Sequence, residues 1–336
     1  MKKIMVTGVS GNVGQGIIEG LRNSNYANAY WILGTDIAPY PLCAGYPICD
    51  TGGQVPYAID PGFIPAVKEI IRSNKIDYVL IGVDAEVMPY AKHREEIESE
   101  TDCKIIVSDY AFVEIATDKY LTYLYLKEVI GINNPRTYKV LDVLSWTEPM
   151  GRPVFPVILK PRRGHGSHGV QIIRYMDEFR QAVRDIKHVE YCFQEYLEGD
   201  EYTCGLLFDQ EHNLADSIIM KRKLDCGTTV EAQVVEHEDI QKMIEKFAAH
   251  TNGKVFGSIN LQIKMKNGVP YIHEINPRFS GTTQMRIMAG YNDVAMIVDN
   301  LAFNIPIKKS NPKKVHLFRY WKTMAVKEDD AGRTHI

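Results

Sequence analysis

Two alternating stretches around Asn267-Gly268 constrain this chain more than any other feature. In "SINLQIKM", Ile259, Leu261, Ile263 and Met265 fall on one side, and Ser258, Asn260, Gln262 and Lys264 on the other. In "YIHEINPRFSG" (271–281), Glu274, Asn276 and Arg278 recur at every second position. Two such runs around Asn-Gly predict a hairpin. A slip of one residue exchanges its faces. A two-residue turn would set Leu261 opposite Glu274 and mix apolar with polar. An odd loop over Lys266-Asn267-Gly268, with the glycine left-handed, sets polar against polar, so the odd loop is expected. His273 and Ile275 then lie on the packed side. The other face holds one carboxylate and up to three amide oxygens: Asn260, Gln262, Glu274 and Asn276. A merely solvated face more often carries lysine and glutamate. This hard oxygen set suits magnesium, which takes few protein ligands and fills its octahedron with water and phosphate oxygens.

Elsewhere, residues 1 to about 112 alternate short apolar runs ("KIMVTG", "WILGTDI", "DYVLIGV", "KIIVS") with helical patterns ("VGQGIIEGLRNS", "IPAVKEIIRSNK"). That alternation implies an α/β unit with a parallel sheet. The proline- and glycine-bearing segment 38–57 reads as a long irregular loop. Thr117-Asp118-Lys119 opens a helix that Gly131 closes. Strands "VFPVILKP" and "GVQIIRY" flank a glycine loop, and "MDEFRQAVRDIK" and "HEDIQKMIEKFAAHTN" are helices. Residues after about 308 are charged and weakly patterned.

Three further stretches carry chemistry. Gly8, Gly11, Gly14 and Gly16 lie between a strand and a helix, with Asp36 ending the next strand. That is the layout of a dinucleotide site, or simply of a packed strand–helix turn. "VILKPRRGHGSHGV" ends a buried strand at Lys160 and continues into Gly164, His165, Gly166, Ser167, His168 and Gly169. Glycines let backbone N–H groups turn toward an anion, and the lysine adds positive charge. No G-K-[ST] follows, so this is not a Walker loop. A loop of this kind can close as a lid over a phosphoryl transfer; the plainer alternative is an exposed hairpin. In "FQEYLEGDEY", Glu195 could accept from an adenine amine and Glu201 from ribose hydroxyls, or the stretch is an acidic turn.

Composition sets outer bounds. The 336 residues, 45% apolar and 24% charged, allow two to three domains of ordinary globular protein. A net charge of −3 gives no basic field for nucleic acid. No apolar run reaches membrane-spanning length. The six cysteines are dispersed without a C-x-x-C pair, which favours reduced thiols in the cytoplasm.

Lys119 opening a helix, then "ILKPRRGHGSHGV", "QEYLEGDEY", "INLQIK" and "HEINPRFSG", occur in the order seen in the ATP-grasp superfamily, which the chain resembles over roughly residues 113 to 305. Within it the sequence looks most like the carbamoyl-phosphate-synthetase branch, as a single-module carboxylate–amine ligase. The resemblance implies a Rossmann-like pre-ATP-grasp domain over 1–112 and a two-subdomain α+β ATP-grasp domain over 113–305. The latter divides into a lid over 113–190 and a metal-binding subdomain over 191–305, with a short tail over 306–336. It implies that Lys119 and Lys160 contact ATP phosphates beneath the loop Gly164–Gly169. Glu195 and the backbone of Tyr196 and Leu197 would hold adenine, and Glu201 the ribose. Gln262, Glu274 and Asn276 would hold one or two magnesium ions, with manganese as an alternative. Arg278 and Lys160 would be the catalytic cations, and Gly11, Asn12, Arg222, Ser280 and Gly281 would face the substrate. The implied partners are a small-molecule carboxylate and an amine, without nucleic acid or membrane; a homodimer is a possible assembly. Release of carbamoyl or acyl phosphate without an amine, an NAD(P)-dependent oxidoreductase, and a non-catalytic nucleotide-binding module are the alternatives. "MKRKLDCGTT" (220–229) is either an anion site or a solvated turn.

Overall fold

A strand buried on both faces needs cover on both, and β1 (Lys2–Thr7) buries Ile4 and Val6 on one side and Met5 on the other. In the computed structural model, which describes residues 1–39, 42–144, 154–164, 169–184, 186–320 and 322–326, β1 lies at the centre of a parallel sheet. Its neighbours are β2 (Tyr30–Asp36), β3 (Thr51–Gln54), β4 (Tyr78–Leu80) and β5 (Lys104–Ile106), in the order β3-β2-β1-β4-β5. Helix α1 (Asn12–Arg22) covers the Ile4 face; α2 (Phe63–Asn74) and α3 (Asp84–Thr101) cover the Met5 face. The expected irregular loop at 38–57 needs correction. Thr51–Gln54 inside it pairs with Leu33–Asp36, a strand of four residues too short to show as a pattern.

Helix α4 (Tyr110–Thr117) leads to α5 (Lys119–Leu124), whose N-terminus is capped by the Asp118 carboxylate. It runs on as a π-helical turn to Ile130 and stops at Gly131, in the left-handed region at φ 67°. A small antiparallel sheet follows, built from β6 (Thr137–Lys139), β7 (Val157–Pro161), β8 (Gln171–Ile173) and β9 (Tyr191–Glu195), in the order β6-β9-β7-β8. Helices α6 (Val140–Leu144) and α7 (Met176–Ala182) accompany it.

The third sheet contains β10 (Glu201–Phe208), β11 (Leu214–Asp225), β12 (Thr228–Val234), β13 (Gly257–Lys266), β14 (Val269–Asn276) and β15 (His316–Phe318). Their order is β14-β13-β10-β11-β12-β15. Helix α8 (Glu238–Ala248) packs on one face and α9 (Thr283–Met288) on the other. The last helix, α10 (Asp293–Phe303), returns to the first sheet, where Val294, Ile297 and Val298 join the Ile4 cluster. Two readings of the sequence change here. The segment Lys221-Arg222-Lys223 is strand, not turn, and the weakly patterned tail contributes β15, which covers the β12 edge.

The hairpin also departs from expectation. Lys266 pairs with Val269, so the loop has two residues, and Asn267 and Gly268 are both left-handed at φ 51° and 77°. Such a turn fits the twist of the flanking strands. The polar faces still meet, because the register shifts beyond the Ile263–Ile272 pair. His273 is the extra residue of a bulge. It restores Gln262 opposite Glu274 and Asn260 opposite Asn276.

Gly268→Ala forces a Cβ into the left-handed region. It should lower the unfolding free energy by about 1 kcal/mol in a urea titration; an unchanged midpoint would contradict this turn.

Candidate active site

Two cavities flank the β13–β14 hairpin, one of about 470 Å³ and one of about 210 Å³. Gln262 and Glu274 line both.

The smaller cavity lies between the second and third sheets and gathers Lys119, Lys160, Gly164, Glu195, Leu197 and Glu201. Tyr196 is not among its lining residues, and His165, Gly166 and Ser167 lie outside the described residues. Lys160 stands at the end of β7, 6% exposed, and its Nζ donates to Gln194 Oε1 at 2.6 Å. Gln194 is in turn oriented by donating to Thr137 Oγ1 at 3.0 Å. Burial, reinforced by the charge of Lys119, brings the Lys160 ammonium down to about 8. Lys119 Nζ donates to the Gly164 carbonyl at 3.0 Å. Two cations held by neutral groups suit a polyanion. Arg162 does not face this space: it forks onto the Asp118 carboxylate, with Nη2 at 2.7 Å from Oδ2.

Two acids of this cavity, Glu195 and Glu201, are already paired. Glu201 and Arg222 are opposite in the β10–β11 register, and Glu201 Oε1 accepts from Arg222 Nη2 at 2.5 Å while Lys264 lies 2.9 Å from Oε2. Burial pushes the Glu201 carboxyl up, but Arg222 and His273 outweigh it and hold it at about 2. Glu195 pairs with Lys266 at 2.7 Å and accepts from the Arg136 backbone N–H at 3.3 Å. His273 requires correction: the bulge carries it off the packed side and into this cavity. Its Nε2 is buried without a partner among the described residues, and burial lowers the imidazole to about 4.

The larger cavity lies between the first sheet and the hairpin. Asn276, Arg278, Gly11, Asn12, Arg222, Ser280 and Gly281 all line it. Arg278 forks onto Asp84 across the cavity, Nε to Oδ1 at 2.6 Å and Nη2 to Oδ2 at 2.5 Å. The glycine turn is a packing device on its buried side. A Cβ on Gly14 would lie 2.4 Å from the Gly8 carbonyl oxygen, and Gly8 itself sits at φ 61°. Asp36 braces this turn: Oδ2 accepts from Ser10 N at 2.9 Å and Oγ at 2.6 Å, and Oδ1 from Ala38 N at 3.1 Å. Both oxygens that a ribose would need therefore already have partners.

The donor set on the hairpin fits a hard cation. Gln262, Glu274 and Asn276 have no side-chain hydrogen bond to a described residue. Among the described residues no three His, Cys, Asp or Glu side chains converge. A cation here would rest on one carboxylate, amide oxygens and phosphates, as magnesium does. Asn260 is excluded from that set. Its Oδ1 accepts from Thr203 Oγ1 at 2.8 Å and from Arg286 Nη2, and an arginine can only donate. The amide oxygen is turned into the protein, which leaves Nδ2 for the cavity. Arg286 and Asp293 are fully buried and lie 3.2 Å apart, and Ser258 Oγ donates to the same Asp293 oxygen at 2.6 Å.

Several of these residues gave no signal in the sequence. Gln194 was legible only as a polar residue in an apolar strand. Asp84 and Glu86 follow the end of a parallel strand, the position where such sheets bind ligands. Glu86 is 4% exposed. Burial pushes its carboxyl up to about 7, Thr7 opposing and Asp36 adding to the shift.

Residues 116–282 match the family model of the ATP-grasp domain. A carbamoyl-phosphate synthase of Methanobrevibacter smithii is 24% identical over 272 residues, covering 76% of this chain and 72% of that protein. D-alanine–D-alanine ligase A of Bacillus cereus is 26% identical over 144 residues, 40% of this chain and 48% of the ligase, so the chain spans about half of that relative. Among solved structures, N5-carboxyaminoimidazole synthetase from Staphylococcus aureus complexed with ADP superposes with a TM-score of 0.74 at 14% identity, over 93% of this chain and 80% of that one. L-amino acid ligase from Bacillus licheniformis gives 0.68 at 14%, over 89% and 68%. At these identities the structural likeness shows the fold.

Two outcomes follow from the buried charges. Arg286→Met leaves Asp293 without its cation and should cost about 3–5 kcal/mol of stability in urea. Pairing it with Asp293→Asn should recover part of that loss. Glu86 holds its proton more tightly folded than unfolded. The stability this gives is present at low pH and is lost as pH rises from about 4.5 through about 7. Glu86→Gln removes that dependence. Its advantage over the parent protein should grow across this window to roughly 3 kcal/mol by pH 8, and a pH-independent difference would contradict the burial of this carboxyl.

Proposed function

We propose that this chain, an ATP-grasp protein by its match over residues 116–282, is an ATP- and magnesium-dependent carboxylate–amine ligase acting on small molecules. The observation that carries the reading is the junction of the two cavities at Gln262 and Glu274. Nucleotide phosphates placed on Lys119 and Lys160 point through that junction toward Arg278 and the larger cavity. A substrate carboxylate there attacks the γ-phosphorus, the bond to the ADP oxygen breaks, and an acyl phosphate and ADP result. An amine then displaces inorganic phosphate and loses a proton, leaving an amide.

The residues' tasks follow from their surroundings. Lys160 and Lys119 neutralise phosphate charge, and the low-dielectric setting of Lys160 strengthens its part. Gln194 fixes the direction of the Lys160 ammonium. Glu274, Gln262 and Asn276 would hold magnesium, which supplies charge neutralisation and orientation of the phosphates when bound. Arg278, once released from Asp84, is placed to grip the transferred phosphoryl group. Asn260 Nδ2 offers a fixed donor beside it. Positioning and electrostatics are the main demands of phosphoryl transfer, and these groups meet both. The similarity to a carbamoyl-phosphate synthase favours a second reading, release of the acyl phosphate itself. ADP formation that needs no amine would distinguish it.

Glu274→Gln is the direct test. ADP release in a coupled assay across carboxylic acids and amines should fall about a hundredfold or more, with the melting temperature unchanged. Near-normal turnover in this variant would overturn the metal assignment and the reading built on it.

A further inference from the structure

The larger cavity carries charge of both signs. Its hairpin side presents Arg278, Arg222, Glu274 and the Asn260 amide, with Arg278 paired to Asp84 and Arg222 to Glu201. Its first-sheet side presents Asp36, Asp84 and Glu86. Asp84 is satisfied by Arg278. Among the described residues the Asp36 carboxylate accepts from Ser10 and Ala38, and Glu86 has the hydroxyl of Thr7. Neither has a basic partner among the described residues. Glu86 lines the cavity, and its buried Oε2 has no hydrogen-bond partner among the described residues. An unsatisfied buried carboxyl oxygen is costly unless a donor reaches it. Burial raises this carboxyl to about 7, and a cation arriving beside it would favour the ionised form.

We propose that Glu86, supported by the negative charge of Asp36, is the recognition point for an amino group of the carboxylate substrate, which is therefore an amino acid. The inference rests on the ligase reading for the placement of the acid end, beside Arg278 and the Gln262–Glu274 junction. The ammonium donates to Glu86 Oε2 and supplies the hydrogen bond this oxygen lacks. The substrate's side chain lies toward the mouth, where Ile37 (42% exposed) and Tyr57 (67% exposed) form an apolar lip, which favours apolar side chains. A carboxylic acid of the same shape without the amine leaves the Glu86 oxygen unpaired, and sites that lose a buried polar partner in this way discriminate strongly.

Calorimetric titration of the full chain holding ADP and magnesium provides the test, using L-phenylalanine against 3-phenylpropionate and L-alanine against propionate. Binding of the amino acid should be about tenfold or more tighter than its amine-free counterpart for at least one pair. In Glu86→Gln that ratio should collapse to about twofold or less, with ADP affinity unchanged as the check that the protein is folded. Absence of discrimination in both pairs overturns the proposal, and so does discrimination that survives in Glu86→Gln. ADP release with the same acids and an amine mixture separates the two readings. Glu86-dependent binding without turnover removes the ligase function and leaves the subsite standing. Turnover that ignores Glu86 does the reverse.

Discussion

Gln262 faces Glu274, and Asn260 faces Asn276, only because His273 stands as one residue too many on β14. The tight Asn267-Gly268 turn fixes one parity of pairing, and the oxygen-lined face requires the other. The bulge reconciles them. Below it the strands are joined by the turn that best suits their twist; above it the polar side chains meet. The same insertion turns an imidazole into the smaller cavity, where it stands beside Glu201 and Glu274. The oxygen-lined face, the shape of the smaller cavity and the junction of the two cavities all depend on this one backbone irregularity.

Around that hairpin, charge is arranged so that little is left loose before ligands arrive. Glu201 is held by Arg222 and Lys264, Glu195 by Lys266 and Arg278 by Asp84. Beside Glu274 itself, two exceptions are informative. Lys160 is buried against a neutral amide, and Glu86 keeps one oxygen without a partner among the described residues. An unbalanced cation in one cavity and an unbalanced acid in the other define complementary demands: a polyanion on one side of Glu274, and a hydrogen-bond donor on the other. Beneath them the Arg286–Asp293 pair sets the direction of Asn260 from inside the core, a structural role reaching the site through one amide.

Much of the architecture was legible from pattern alone. Alternating apolar runs and helices imply the parallel sheet, and period-two alternation identifies both hairpin strands and the polar side chains on their shared face. The parity of that pairing was legible too, since only one choice puts like against like. The means of achieving it was not. A bulge and an odd loop satisfy the same constraint, and which one forms depends on local twist rather than composition. The short strand Thr51–Gln54 and the edge strand His316–Phe318 carry too few residues to show a period. Return of α10 to the first sheet, the fork between Arg278 and Asp84, and the burial of Glu86 involve partners far apart along the chain. No spacing rule reports such contacts. Asn260 shows the same limit: its residue type suggested a ligand oxygen, but the arginine behind it turns that oxygen away.

Gln262 and Glu274 form a party wall between the two cavities. A charge placed on one side changes the field on the other, so coupling between the two occupants is the expectation. Thermodynamic reciprocity then applies: if nucleotide tightens the hold on substrate by some factor, substrate tightens the hold on nucleotide by the same factor. Affinities measured one ligand at a time describe half-built sites. A compound library screened against the nucleotide-free protein would rank its members for a cavity whose shared wall still lacks its charge on the far side.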